Sequence, residues 1–285
     1  MWNPHEPVPS RQRAALGIAG ILGALLLWSA LAWSGVALPQ QVKDRAIQPD
    51  GTVDVEQLAK LKKNFLPAPW HVAEGLYEMA KAEGSMNLGG AALWSARRVA
   101  LAALLVIVIG LPIGVLMGSS AKVNAVLSPF VDPRRSAPMV AVLPVVVLWF
   151  GIGENSKVVF LWAGASVFFI PIVRDAIVAV PREHLILAED LGATPFEAIR
   201  HSVLPLAMPR IFDAVIVAVG IEWTYITVAE FVNAKQGLGY LIQTHKRFTA
   251  NDKVFAGILV ILAMALVTDQ LLKFAKRRLF PWETT

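Results

Sequence analysis

The chain has 285 residues, of which 56% are hydrophobic and only 16% charged, with a formal net charge of +5. Mean hydropathy is +0.57, an apolar excess larger than one soluble core can hide, since soluble domains run about 45–50% apolar and about 25% charged. These figures exclude an ordinary soluble enzyme, a disordered chain and a nucleic-acid-binding module. With no Cys there is neither a disulfide framework nor a thiolate site.

A helix that crosses a bilayer needs about 20 mostly apolar residues. In chain order the candidate runs are Ala14–Val36, Val99–Ala121, Ser136–Gly153, Val158–Val173, Ala214–Ala229, broken only by Glu222, and Val254–Leu272, which includes Asp269. The fold expected is an all-α, polytopic membrane bundle of about six spans. Pro138 and Pro144 interrupt the third run, which reads as a broken or re-entrant segment. Arg11 and Arg13 precede a first run longer than a signal h-region of about 7–15 residues, so an uncleaved anchor is expected.

Six spans place both termini on one side. Arg11 and Arg13, Lys122 with Arg134 and Arg135, Arg174 to Arg210, and Lys273 to Arg278 all fall on that side, which the positive-inside rule makes cytoplasmic. Arg97 and Arg98 are a misfit at the opposite end of the second run, expected to pair with the acidic first loop or to snorkel. The organisation is then an N-terminus and anchor over 1–36, an external loop with short helices over 37–94, a permease core over 95–280 containing a cytoplasmic loop at 180–210, and a tail at 281–285. Within the external loop, Asp54–Lys63 and Trp70–Ala82 read as helices, the second with Val72, Leu76, Met79 and Ala80 on one face.

Gly110, Gly114 and Gly118 stand at spacing four, which bares one helix face for close packing. Between the fourth and fifth spans, Val180–Ile211 is polar yet helically patterned, with Leu185, Ala188, Leu191 and Gly192 at spacings of three and four. Thr194, Pro195 and Glu197 have the spacing of a capping box with Pro at the first helical position. Pro205 and Pro209 are expected to end that helix and begin the next span. A helix–Gly–helix hairpin with an apolar face suits the docking of a cytoplasmic partner.

Gly192 followed by Leu204-Pro205 resembles the EAA loop of binding-protein-dependent ABC importer permeases, which have the MetI-like type I fold. LPAPW before the second span, PVVVLWFGIGENSK, LGATPFEAIRHSVLPLAMPRI and VAEFVNAKQGLGYLI resemble the nitrate/sulfonate/taurine branch over 65–282. Here Ile186-Leu187 replace the Glu-Ala pair that names the loop, and Ser202 replaces an aliphatic residue. The resemblance implies a permease subunit of an ATP-driven importer in a bacterial inner membrane, not an enzyme. Its partners would be two copies of an ABC ATPase, a second permease chain forming a homodimer, a periplasmic substrate-binding protein and membrane lipid, with no nucleic acid. ATP and Mg would be bound by the ATPase; the chain itself would carry no cofactor, and it contains no phosphate-loop motif. Coupling to the ATPase would fall to Glu183, Ala188, Glu189, Gly192, Ala193, Thr194, Phe196, Leu204 and Pro205.

An ionisable group inside a span is a functional suspect. Glu222, Trp223, Thr227, Glu230 and Trp149 are the candidate substrate-pathway residues, with a structural pairing of Glu222 to Arg174 or another inward-facing base as the alternative. Asp269 and Lys273 read as an i,i+4 pair. His184 and His201 lack a third ligand at metal-site spacing, so no metal is expected. Two alternatives remain for function: a permease for a thiamine precursor or another cationic or zwitterionic nutrient, and an ion-coupled secondary transporter using Glu222 and Asp269.

Overall fold

The computed structural model describes residues 10–34, 38, 43, 46–47, 53–232 and 234–283. The chain-terminal Arg11 and Arg13 side chains, and most of the first half of the 37–94 loop, lie outside what is described. Among the described residues the architecture is all-helical apart from an isolated antiparallel bridge between Ile47 and Val53. The helices are α1 (Ser10–Ser34), α2 (Val55–Phe65), α3 (Pro69–Lys81), α4 (Leu88–Leu105), α5 (Leu111–Ser119), α6 (Ala121–Val131), α7 (Leu143–Phe150), α8 (Glu154–Val178), α9 (Arg182–Asp190), α10 (Pro195–Ala198), α11 (Leu204–Phe231), α12 (Leu238–Arg247) and α13 (Asn251–Leu279).

Among the described residues, five helical stretches are long and apolar enough to cross a membrane: Ala15–Ser34, Leu88–Ser119, Glu154–Val178, Pro195–Phe231 and Asn251–Leu279. The third candidate run becomes a 3-10 turn, Met139–Val142, followed by the short α7. Met139–Phe150 is apolar but too short to span alone. Pro144 in the first turn of α7 lets that helix start, and Gly151, at φ 74°, stops it.

Two compact units are distinguished, residues 1–82 with 242–258, and 83–241 with 259–285. In the first, α1 is anchored by Trp28, whose indole N–H donates to the Pro67 carbonyl at 3.1 Å and whose ring stacks on Phe255. The buried stripe of α3 is Val72, Gly75 and Met79, whereas Leu76 and Ala80 face outward. The expected face is rotated because Gly75 admits the backbone of Asp252 and Lys253; a Cβ there would stand 3.3 Å from both.

In the second unit, α8 is the central element, with Phe160, Leu161, Ala165, Phe169 and Val173 wholly buried. The three seam glycines meet it at close range. A Cβ on Gly110 would come within 2.8 Å of Phe169, one on Gly114 within 2.6 Å of Val173, and one on Gly118 within 2.6 Å of Ile177.

Two π-helical turns interrupt the long spans, Val106–Gly110 between α4 and α5 and Ile199–Val203 between α10 and α11. Each lies just before a Leu-Pro, Leu111-Pro112 or Leu204-Pro205. A proline ring collides with the carbonyl four residues back, here Val108 and His201, and widening the turn relieves the collision. Pro205 and Pro209 therefore do not end the hairpin's second helix as expected. It runs through the wide turn into the span, continuous from Pro195 to Phe231.

Candidate functional site

The hairpin between α8 and α11 is held by two complementary caps. At the end of α9 the Gly192 N–H donates to the Glu189 carbonyl at 2.9 Å and the Ala193 N–H to the Ala188 carbonyl at 3.0 Å, the paired bonds of a Schellman motif. That motif needs a left-handed residue, and Gly192 supplies it at φ 84°. At the start of α10, Glu197 Oε2 accepts from the Thr194 N–H at 2.8 Å and from its hydroxyl at 2.6 Å, while the Glu197 N–H donates to Thr194 Oγ1. Pro195 occupies the first turn. The Ser202 hydroxyl donates to the His184 carbonyl, tying the two arms together.

On this scaffold the predicted coupling residues divide. Glu183, Glu189, Thr194 and Phe196 are exposed, as is Pro205; Ala188, Ala193 and Leu204 are half-buried. Leu191, expected on the apolar docking face, is 81% exposed where it caps α9 beyond its last helical turn. Ile186, Leu187 and Phe196 are also largely exposed, leaving an apolar surface on a polar hairpin. Ile186-Leu187 thus enlarge that surface where the EAA pattern has Glu-Ala.

A second constellation lies at the far ends of α4, α8 and α11. The Arg98 guanidinium, 2% exposed, grips Glu154 with two parallel bonds, Nε to Oε2 at 2.6 Å and Nη2 to Oε1 at 2.8 Å. Its Nη1 donates to Glu230 Oε1 at 2.6 Å and to the Gln236 carbonyl at 2.8 Å. Glu230 also accepts from the Ser95 hydroxyl at 2.7 Å and the Gly239 N–H at 2.7 Å, and Ser95 Oγ accepts from the Leu238 N–H. Lys157 pairs with Glu154 at 3.3 Å. Two cations and two anions leave the cluster neutral. Gly237, at φ 122°, is required here, since a Cβ would sit 2.5 Å from both Arg98 Nη1 and Glu230. Arg98 therefore neither snorkels nor pairs with the acidic first loop; its partners are on α8 and α11.

Of the candidate pathway residues, the structure brings only some inside. Glu222 is fully buried and Trp223 nearly so. Neither carboxyl oxygen of Glu222, nor the Trp223 indole nitrogen, has a hydrogen-bond partner among the described residues. Arg174 is not the partner of Glu222: it binds Asp132 at 3.0 Å and Asp175 at 2.9 Å. Thr227 is half-buried, Glu230 is held in the Arg98 cluster, and Trp149 is exposed on α7. Asp269 pairs with Lys273 at 2.7 Å. Among the described residues no group of three His, Asp or Glu could hold a metal ion. Sequence reading missed Ser95, Glu154, Lys157, Gly237 and Gly239. The available signal was an arginine at a span end opposite a carboxylate at another span end and a nearby Gly-x-Gly.

Residues 110–281 match the family described as the binding-protein-dependent transport system inner membrane component. The chain is similar to the taurine transport system permease protein TauC of Escherichia coli (strain K12), 34% identical over 236 residues, covering 80% of this chain and 84% of that protein. It is 32% identical over 191 residues to a candidate aliphatic sulfonates transport permease protein, SsuC of Bacillus subtilis (strain 168), covering 66% and 68%. A solved inward-facing form of the MetNI methionine ABC transporter matches 77% of this chain and 99% of its own with a TM-score of 0.58 at 24% identity, a likeness of fold.

Proposed function

Because the chain belongs to the binding-protein-dependent transport system inner membrane components, we propose that it is the permease subunit of an importer for a small organic sulfonate of the taurine type. The relatives that transport taurine and, by name, aliphatic sulfonates support the substrate class. The observation that carries the mechanism is the doubly capped hairpin with Ile186, Leu187, Leu191 and Phe196 exposed. An apolar face on a rigid hairpin is costly in water and is relieved by a partner. The partner fitting it is the ATPase, one copy for each of two permease chains, so the hairpin end of the bundle is cytoplasmic. The charge rule, read from Arg11 and Arg13 and from Lys273 to Arg278, supports placing both termini on that side.

Uptake then proceeds by alternating access. Solute arrives from a binding protein, and nucleotide-driven closure of the ATPase pair pushes on the hairpin. The push reaches the membrane because α10 and α11 are one continuous rod. ATP and Mg act on the ATPase; this chain transmits the motion. Glu222 and Trp223 are proposed to meet solute when the bundle rocks and exposes α11, a carboxyl and an indole donor suited to an ammonium and a sulfonate.

Gly192→Trp is expected to abolish uptake and the recovery of the ATPase on the tagged permease. The cause is the left-handed backbone, since no atom lies within 4 Å of a Cβ there. A left-handed conformation costs an L-residue roughly 1–2 kcal/mol, and Asn bears it best. Gly192→Asn should therefore retain most uptake. Normal ATPase recovery and uptake by Gly192→Trp would overturn the coupling assignment.

The Glu222 reading has its own test. Replacing an unsatisfied buried polar group by an apolar one of similar shape removes a penalty of about 1–3 kcal/mol. Glu222→Met should raise the melting midpoint of the purified protein while uptake of an amino-sulfonate falls. A raised midpoint with unchanged uptake and selectivity would leave Glu222 no part in transport.

A further inference from the structure

Under the hairpin, within the second unit, lies a cavity of about 540 Å³, a size that holds a ligand well beyond a few waters. Its apolar wall includes Met117 and Ile177, from the last turns of α5 and α8, and Leu185 and Val203 from the hairpin. Four polar residues also line it. Arg182 and Glu189 stand with Leu185 on one stripe of α9, at positions i, i+7 and i+3, on the side away from Leu187. Neither charge is paired, with the other or with any described residue. The hydroxyl oxygen of Ser119 and the side-chain carbonyl of Asn124 are buried and have no hydrogen-bond partner. Buried polar atoms are almost always satisfied, so two orphaned side chains among the residues lining one cavity leave bonds for an occupant to complete.

We propose that this cavity holds one phospholipid with a primary-amine headgroup. The acyl chain fits the apolar wall, where two membrane spans end and the polar hairpin begins, the level at which acyl chains and headgroups meet. The phosphate fits the unpaired Arg182 and the Ser119 hydroxyl. The ammonium donates to the unpaired Glu189 and to the Asn124 carbonyl. A choline headgroup has no N–H to give the last two, and a glycerol headgroup has no cation. The occupant wedges between α9 and the ends of α5 and α8, so it sets how firmly α9 is held; that this tunes coupling to an ATPase rests on the proposed function.

The test uses the full chain, purified and delipidated, titrated with short-chain phosphatidylethanolamine, phosphatidylcholine and phosphatidylglycerol, with thermal midpoint and native mass spectrometry as readouts. One phosphatidylethanolamine should be retained, the other two binding about tenfold more weakly for the loss of a charge-assisted hydrogen bond. Arg182→Gln, Glu189→Gln and Asn124→Leu should each weaken retention of phosphatidylethanolamine by a similar factor. Equal retention of all three headgroups would overturn the proposal, as would unweakened binding by the Arg182→Gln/Glu189→Gln pair. Displacement of the lipid by inorganic phosphate, ethanolamine or an amino-sulfonate would assign the site to a soluble ion. If a variant fails to fold, the headgroup series on the unaltered protein decides. Retention of the amine lipid by a chain that recovers no ATPase sinks the coupling assignment alone; recovery of ATPase without headgroup preference sinks this one alone.

Discussion

Arg98→Leu should be the most damaging single substitution in the second unit. It removes the guanidinium that satisfies Glu230 and holds Glu154 and the Gln236 carbonyl, and it leaves a fully buried carboxylate with only the Ser95 hydroxyl and the Gly239 N–H. Breaking one side of a buried pair costs about 3–5 kcal/mol, a large part of the roughly 5–15 kcal/mol that holds a domain folded. The expected result is little inserted protein, and a strongly lowered midpoint for what is recovered. The double variant Arg98→Met/Glu230→Gln separates charge from packing. A neutral amide can accept from the Gly239 N–H with its oxygen and donate its NH2 to the Ser95 oxygen, and an unbranched side chain fills the guanidinium's path. Glu154, half-exposed, rehydrates at little cost. The double variant should recover much of the loss, a coupling at the upper end of about 0.5–3 kcal/mol. A double variant no more stable than Arg98→Leu would mean that the cluster acts by shape alone.

The second large effect is expected at the glycine seam. A Cβ on Gly114 would lie 2.6 Å from the Val173 Cβ and 3.0 Å from the Ile170 carbonyl oxygen. The carbonyl belongs to the backbone of α8 and cannot rotate away, so the two helices must separate. Gly114→Ala should cost about 1–3 kcal/mol, as overpacking of a close-packed core does, and Gly114→Leu more. Gly23→Ala on α1 is the matched control, because nothing lies within 4 Å of its Cβ and alanine is the better helix former. Val173→Ala placed with Gly114→Ala should restore only a small part of the loss, because it clears the Cγ1 at 2.7 Å and keeps the Cβ at 2.6 Å. Thermal midpoints of the purified variants decide it; equal midpoints for Gly114→Ala and Gly23→Ala would mean that the seam opens freely.

What could be read from the sequence was local. The hairpin is legible because each cap is written within a few residues: Gly192 three after Glu189, Thr194 three before Glu197. The Gly110–Gly118 stripe is legible because a spacing of four is one helix face. The Arg98 cluster was not, because its members are brought together by the fold: Arg98 and Glu230 are 132 positions apart, and no periodicity connects them. Arg98 showed only as a violation of the charge rule, and Glu230 as a suspect for transport. Glu222 was visible as a carboxylate in an apolar run, but burial without a partner is a property of the packed bundle. The fate of Pro205 is not legible locally, because proline is first a helix breaker, whereas a membrane helix tolerates it by rearranging the adjoining turn.

Those two wide turns also fix an angular phase. A π turn holds one residue more than the α-helix it interrupts, and each extra residue rotates everything beyond it by about 100° about the axis. The surplus residue in Ile199–Val203 therefore sets the direction in which the hairpin points relative to α11, and the one in Val106–Gly110 turns the glycine stripe of α5 to meet α8. Deleting a single residue from either turn would give a straighter helix with every later side chain intact and facing the wrong neighbour. The chain thus encodes the aim of its hairpin as an insertion in length, with the adjoining proline keeping the insertion where it is.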